Sequence, residues 1–391
     1  MSGANRLESA SRTSIVSNGH RPCRRFRILH VLPTLNSGGA ENMACSLATS
    51  MARDHDIGAL SLFPEAGSWV EERLHKARIP MWHLDKRPGF DARIYARLDR
   101  ALREFRPDVV HSHMSVLRYL APSILRRRMP AAIHTLHNLA EYENDTFGRA
   151  LQWLLFRGAV VPVAISREVE QSFERVYRTK CPHLVPNCIP VESYRASGEA
   201  RARWRGQEGI PEGAVVFTST ARFVEQKNPL LMIEAFARLG DPRARMVLMG
   251  RGDMRDQVVD LIRARGLEES VHLLGYRPDV AECLAASDVF VLSSNWEGNP
   301  LAVMEAMAAG LPVISTNVGG LPSLVESGRS GILVPAGDCA AFTEAMRFLA
   351  DDAATRAAMS AAARAHAAGA FPLDRMIRGY SQVYEWALAR R

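Results

Sequence analysis

At 391 residues the chain has room for two domains or slightly more, and its 47% hydrophobic and 23% charged content is ordinary for a soluble globular enzyme. The formal charge of +7 is uneven: residues 1–190 carry +9 and the remainder −2, which points to an anionic partner for the first half, with no nucleic acid expected. Six cysteines are scattered without a C-x-x-C pair, which excludes a disulfide scaffold and argues for a reduced cytoplasmic chain.

Residues 1–24 are polar and rich in Ser and Arg, without the apolar core of a signal peptide, and are expected to form a disordered tail. The best candidate for a membrane span, Leu151 to Ile165, is too short and carries Arg157.

Phe26–Leu32 reads as the first strand, followed by the turn Pro33–Glu41 with Gly38 and Gly39, then an amphipathic helix to about Met51. Such a turn lets backbone approach a ligand closely. No full G-x-G-x-x-G is present, so a nicotinamide or flavin cofactor is unsupported and none is expected. Further strands are predicted over Ile57–Phe63, Ile79–Leu84, Asp108–His113, Ala131–Leu136 and Val160–Ile165, alternating with helices. That alternation implies a parallel sheet with right-handed crossovers.

His111 and His113 close the fourth strand at the edge where α/β sheets bind ligands, and at i and i+2 they share one face. Zinc would need further ligands, and none is apparent nearby in sequence, so no metal is expected. Residues 114–128 read as an apolar helix ending in Arg126–Arg128, either a solvated helix end or a contact for anionic lipid heads. Leu184–Pro190 closes the first half, and residues 191–212 read as a linker with a helical stretch.

Ala214–Ser219 opens a second series of strands, continued by Met246–Gly250, Val271–Leu274, Asp288–Ser293 and Leu311–Ser315. Arg222 and Lys227 lie in the loop after the first of these, where cations suit a diphosphate. Lys227 is the one lysine in the second half of a chain whose other three lysines are Lys76, Lys86 and Lys180, so arginine has not served at that position.

Residues 288–309, DVFVLSSNWEGNPLAVMEAMAA, read as a buried strand, a loop and a helix starting at Pro300 with Asn299 as its N-cap. Glu297 and Glu305 bracket the turn. Carboxylates accept hydrogen bonds from sugar hydroxyls, and the helix start between them favours a phosphate.

This stretch resembles the E-x7-E signature of retaining glycosyltransferases of family 4 (glycosyl transferases group 1), and the resemblance runs from about Arg27 to Tyr384. It implies two Rossmann-like domains facing each other across a cleft, the GT-B architecture. The expected division is a tail over 1–24, an acceptor domain over 25–190, a donor domain over 191–371, and a helix over 372–391 crossing back to the first domain. It implies a nucleoside-diphosphate sugar as donor and a glycan, lipid-linked glycan or small hydroxyl compound as acceptor, in surface polysaccharide synthesis. A peripheral place at the inner face of the cytoplasmic membrane goes with that reading.

Carried over residue by residue, the resemblance makes His113, Arg222, Lys227 and Glu297 catalytic, with His111 as support. Gly38, Gly39, Gly250, Gly298, Asn299, Pro300, Leu301 and Glu305 become donor-binding. Glu297 would hold the sugar and Glu305 the ribose. The family is generally discussed as same-face attack, the leaving phosphate helping to deprotonate the acceptor. Three departures stand out: Cys188 and Pro190 replace the glycine and aspartate of the family's interdomain junction, Ala221 replaces a glycine before Arg222, and Ser323 follows Pro322 where a glutamate is usual. A sugar-nucleotide 2-epimerase and a non-catalytic sugar-nucleotide binding subunit are the alternatives on this fold. The metal-dependent architecture would need an Asp-x-Asp motif, and Asp54-His55-Asp56 fits the letters but precedes a strand.

The end reads as three helices, Asp338–Leu349, Asp352–Ala368 and Pro372–Leu388, with Gly369 stopping the second. Met376, Tyr380, Val383, Tyr384 and Ala387 fall on one face of the last.

Overall fold

The computed structural model describes residues 24–390 except 90, 127–130, 144 and 196–197. Residues 1–23 of the predicted tail, and Arg127 and Arg128 of the basic cluster, lie outside the described residues.

Two parallel sheets organise the chain. The first takes β1 (Arg27–Leu32), β2 (Asp56–Ser61), β3 (Met81–His83), β4 (Val109–His113), β5 (Ala131–Leu136), β6 (Val161–Ala164) and β7 (His183–Leu184) in the order β3-β2-β1-β4-β5-β6-β7. The second takes β8 (Val215–Ser219), β9 (Ala244–Leu248), β10 (Val271–Leu273), β11 (Val289–Leu292), β12 (Val313–Thr316) and β13 (Gly331–Val334) in the order β10-β9-β8-β11-β12-β13. Both orders reverse beside their first strand, which opens a crevice at the carboxyl ends of β1/β4 and of β8/β11. The expected pair of Rossmann-like domains is therefore present. Strands β7 and β13 were not predicted: β7, with two residues, is too short to carry a pattern, whereas β13, Gly-Ile-Leu-Val, is as long as β11 and was passed over. β3 is shorter than the expected Ile79–Leu84.

β4, β5, β8, β11 and β12 are buried along their whole length. That is why β11, Val-Phe-Val-Leu, reads as an unbroken apolar run rather than an alternating one. The helix Leu301–Ala309 starts one residue later than expected. Pro300, at φ −72° and ψ 121°, is its N-cap, and the Asn299 side chain caps nothing. Instead the Asn299 carbonyl accepts from Asn187 Nδ2 at 2.8 Å, tying the first domain's exit to this turn. Gly369 does not stop a helix either; it lies inside Ala353–Ala370, where tertiary packing outweighs its modest local cost.

The terminal helix, Leu373–Ala389, buries Met376, Tyr380, Val383, Tyr384 and Ala387, the five residues its periodicity marks. They pack against the first domain's sheet. Tyr384 Oη lies 2.8 Å from His111 Nδ1, and Tyr380 Oη lies 2.8 Å from Thr135 Oγ1. The chain's end thus crosses back, as expected. Residues 114–128 depart from the single predicted helix: a 3₁₀ turn, Met114–Val116, precedes a helix over Leu117–Leu125. The apolar side of that helix, Leu117, Leu120, Ala121 and Ile124, is buried in the first domain's core.

Candidate active site

The second domain's share of the crevice is built from two loops stitched to each other. Ser293 Oγ donates to the carbonyls of Lys227 and Asn228 at 3.0 and 2.8 Å. Asn295 N donates to Gln226 O at 2.8 Å, and Gln226 Nε2 to Trp296 O at 3.1 Å. Held this way, the Lys227 ammonium forms an ion pair with Glu297 Oε1, which also accepts from Ser294 Oγ at 2.6 Å. Arg222 is exposed at the start of the same loop. The N-terminus of Leu301–Ala309 opens beside Glu297, so free N–H groups and two cations converge on one edge. Gly250, after β9, packs against the Ala221 carbonyl with no room for a side chain.

Two glycines decide how closely the backbones meet. A Cβ on Gly298 would lie 2.5 Å from the carbonyl oxygen of His137 in the first domain. One on Gly319 would overlap the Glu297 carbonyl, and Gly319 also has φ +50°. The E-G-N-P turn is therefore clasped between Gly319 beneath and His137 across the cleft. Two more contacts cross the cleft. Tyr276 hydrogen-bonds Ser37, and Tyr142 stacks on Trp296 with ring centroids 4.7 Å apart and 18° between planes.

His113 ends β4 at the corresponding edge of the first domain, fully buried. It belongs to a chain of imidazoles. His30 Nδ1 lies 3.1 Å from His113 Nε2, and His113 Nδ1 lies 3.0 Å from His137 Nε2. Burial, reinforced by the neighbouring imidazoles, holds His111 and His113 well below the usual histidine range; burial pushes His30, His134 and His137 down to about 3. All five are neutral at physiological pH, and each ring can donate one hydrogen bond and accept one.

The absence of further metal ligands near His111 and His113 holds only in sequence. His30, His111 and His113 offer ring nitrogens that all lie within 4.8 Å of one another. The strand order produces this, because β1 and β4 are neighbours. The set does not fit a metal well. His111 has both nitrogens engaged, by Tyr384 and by Thr135 Oγ1 at 2.7 Å, and His113 has both engaged by histidines. Asp54-His55-Asp56 lies at the opposite edge: Asp56 begins β2, and His55 stacks on Phe26.

Gly38 is the N-cap of the helix Gly39–Met51, which brings both glycines to the same edge as His113. Sequence reasoning passed over Glu41 in this turn. It is 7% exposed and accepts from Thr34 Oγ1 at 3.0 Å. Burial raises its carboxyl, opposed in part by hydrogen bonds and by the Arg222 charge across the cleft. Tyr194 was also missed. It ends the 3₁₀ turn Val191–Tyr194 and hydrogen-bonds Glu305. Burial raises the Glu305 carboxyl, and the Tyr194 hydrogen bond, which opposes that shift, ties its side chain to the linker. Glu143, beside Tyr142, accepts from His137 N at 3.2 Å and is pushed up to about 8 by burial. No sequence pattern marks these three: Tyr194 meets a residue far along the chain, and the Thr34–Glu41 and His137–Glu143 bonds form in irregular turns without periodicity.

The sequence profile described as "Glycosyltransferase Family 4" matches residues 37–193, and that described as "Glycosyl transferases group 1" matches residues 200–366. Between them they span most of both domains. The chain belongs to glycosyltransferase family 4. This glycosyltransferase is 29% identical over 275 residues, 67% of its length and 71% of the relative's, to the UDP-Gal:alpha-D-GlcNAc-diphosphoundecaprenol alpha-1,3-galactosyltransferase of Escherichia coli. It is 24% identical over 318 residues, 79% of its length and 83% of the relative's, to the N-acetyl-alpha-D-glucosaminyl L-malate synthase of Bacillus anthracis. Its fold superimposes on Anabaena HepE, solved with UDP and glucose, with a TM-score of 0.82 at 20% identity, covering 93% of this glycosyltransferase and all of the other chain.

Proposed function

We propose that this glycosyltransferase takes a nucleoside-diphosphate sugar in the crevice and transfers the sugar, with retention, to a lipid-linked glycan of surface polysaccharide synthesis. The observation that carries the reading is the convergence of Arg222, the Lys227–Glu297 pair and the start of Leu301–Ala309 on one edge. A diphosphate there meets two cations and unpaired N–H groups as its leaving charge develops. Gly250 and the backbone from Gly298 to Leu301 line its path, and Gly38 and Gly39 face it from the first domain.

The bond from the anomeric carbon to the phosphate oxygen breaks, and the acceptor oxygen bonds on the same face. Its proton passes to the departing phosphate. Glu297 accepts hydrogen bonds from the sugar once the incoming phosphate shares Lys227. His113, neutral and hydrogen-bonded through both ring nitrogens to His30 and His137, reaches the sugar by exchanging its His137 hydrogen bond for a hydroxyl. Glu305 binds the ribose by exchanging its Tyr194 hydrogen bond for hydroxyls.

The lipid-linked acceptor is supported by the diphosphoundecaprenol acceptor in the name of the E. coli relative and by the basic first half. A peripheral place at the inner face of the cytoplasmic membrane goes with it. Among the described residues no helix is long and apolar enough to cross a membrane. The test is a screen of radiolabelled UDP-, GDP- and ADP-sugars with a membrane lipid extract, products analysed with and without acceptor. Label entering the lipid fraction with the donor's anomeric configuration supports the reading. Release of an epimerised sugar without acceptor replaces it with an epimerase, and label entering only water-soluble products replaces the lipid acceptor with a small hydroxyl compound.

A further inference from the structure

Large apolar side chains exposed among the described residues number seven, and five of them, Leu125, Tyr142, Phe147, Trp153 and Leu154, fall within thirty residues of the first domain. Three belong to the helix Thr146–Leu155. At 100° per residue its buried arc holds Gly148, Gln152 and Leu155, and the opposite arc runs through Phe147, Leu154, Ala150, Trp153 and Arg149, with Arg157 in the turn just past the helix. Phe147 is 71% exposed, more than any other large apolar side chain described. The arc mixes aromatic and aliphatic groups with cations only, because residues 146–166 contain Arg149 and Arg157 and no Asp or Glu. The guanidinium of Arg157 lies over the Trp153 ring, 3.4 Å from its centroid. Beside Trp153 a hollow of about 370 Å³, lined by Arg149, Ala150, Trp153, Val176 and Tyr177, opens to the surface.

We propose that this helix is the membrane-docking face, lying in the headgroup layer of an anionic phospholipid bilayer. Phe147 and Leu154 insert between acyl chains, Trp153 sits at headgroup level, and Arg149 at the hollow's rim meets a lipid phosphate. The neighbouring helix Leu117–Leu125 offers the bilayer only Leu125 at its end, since Leu117, Leu120, Ala121 and Ile124 are spent on the core. The choice of a lipid surface over a protein rests on charge complementarity and on position. The helix starts at Asp145, whose side chain caps it and pairs with Arg118 at 3.1 Å, three residues after the Tyr142–Trp296 stack at the mouth of the crevice. A lipid-linked acceptor seated on this face presents its head group to the crevice without leaving the bilayer, so the inference rests on the proposed acceptor class.

The test is co-sedimentation of the full chain with sucrose-loaded vesicles of phosphatidylglycerol and phosphatidylcholine, against phosphatidylcholine alone. The expected result is binding to the anionic vesicles that weakens strongly between about 0.05 and 0.5 M salt, as the Debye length falls to roughly 4 Å. The combined variant Phe147→Ser, Trp153→Ser, Leu154→Ser should lose about tenfold or more in vesicle affinity. Arg149→Gln with Arg157→Gln should lose the salt-sensitive part. Brominated lipid should quench wild-type fluorescence and quench Trp153→Phe markedly less. Absence of low-salt binding, or unchanged binding by the triple variant with a wild-type circular dichroism spectrum, overturns the proposal. So does a wild-type dimer that the triple variant converts to monomer, which would make this face a contact between two copies. Vesicle-free hydrolysis of the nucleotide sugar separates the two readings: it reports the donor site and should be equal in wild type and triple variant.

Discussion

Lys227 and Glu297 neutralise each other across two loops of the second domain, with 17% and 4% of their side chains exposed. Each keeps the other's charge from being buried alone, and in the proposed donor site a sugar diphosphate would replace half of the pair. Lys227→Ala should therefore act twice. Turnover should fall ~100-fold or more, by analogy with losing one preorganised donor. Folding stability should fall by about 3–5 kcal/mol, because Glu297 is left uncompensated. Near-normal turnover in a folded Lys227→Ala enzyme would remove the residue from the mechanism.

Arg222 separates the two effects. It is exposed, so Arg222→Ala should leave the thermal midpoint within a few degrees while turnover drops by a similar factor of ~100. A comparable loss of stability would show that its role is structural.

Activity should persist in excess EDTA, since in the proposed site two cations and a helix start would serve the leaving group. If chelation abolishes turnover and magnesium or manganese restores it, the proposed clamp is incomplete.

Gly298→Ala places a methyl group against the His137 carbonyl, at a contact that real side chains do not make. The second domain should still fold, since the obstruction lies across the cleft. Small-angle scattering should report a larger radius of gyration, and turnover should fall by about an order of magnitude or more as the near-attack geometry is lost. An unchanged radius with unchanged turnover would mean that closure does not use this contact.

The five buried histidines set an acid limit on stability. Their folded-state pKa values lie below 6.5, so the unfolded chain binds more protons as pH falls. Stability is fully present above pH 6.5 and is lost on going below it, by about 1.4 kcal/mol per pH unit for each histidine. Thermal midpoints should drop steeply between pH 6.5 and 5. A flat profile over that range would contradict neutral burial.

Much of the frame was legible because its signals are local. Strand runs such as Val289–Leu292 and the apolar face of Leu373–Ala389 are written in consecutive or periodic residues. The E-x7-E spacing is local too, so Glu297 was marked beforehand and is found beside Lys227, seventy residues away. What stayed hidden is what strand order creates. His30 and His113 are 83 residues apart and meet because β1 and β4 pair; Tyr194 meets Glu305 because the linker folds back. The helix Thr146–Leu155 was missed for another reason. Its apolar residues run almost directly into those of β6, and the join erases the helical period.

The bonds from Tyr384 to His111 and from Tyr380 to Thr135 join the last twenty residues to the middle of the first sheet. On the ribosome those partners are made late. Roughly 200 residues separate them from β7, which at about 5–20 residues per second is some 10–40 s of synthesis. Throughout that interval the first domain has all its strands but lacks the helix that covers His111 and Thr135. Two buried polar groups and an apolar strip wait uncovered while the second domain is still emerging. The order of completion therefore runs against the order of translation: the domain begun first is finished last, and a ribosome that stalls near residue 372 releases a chain whose second domain is whole and whose first is not.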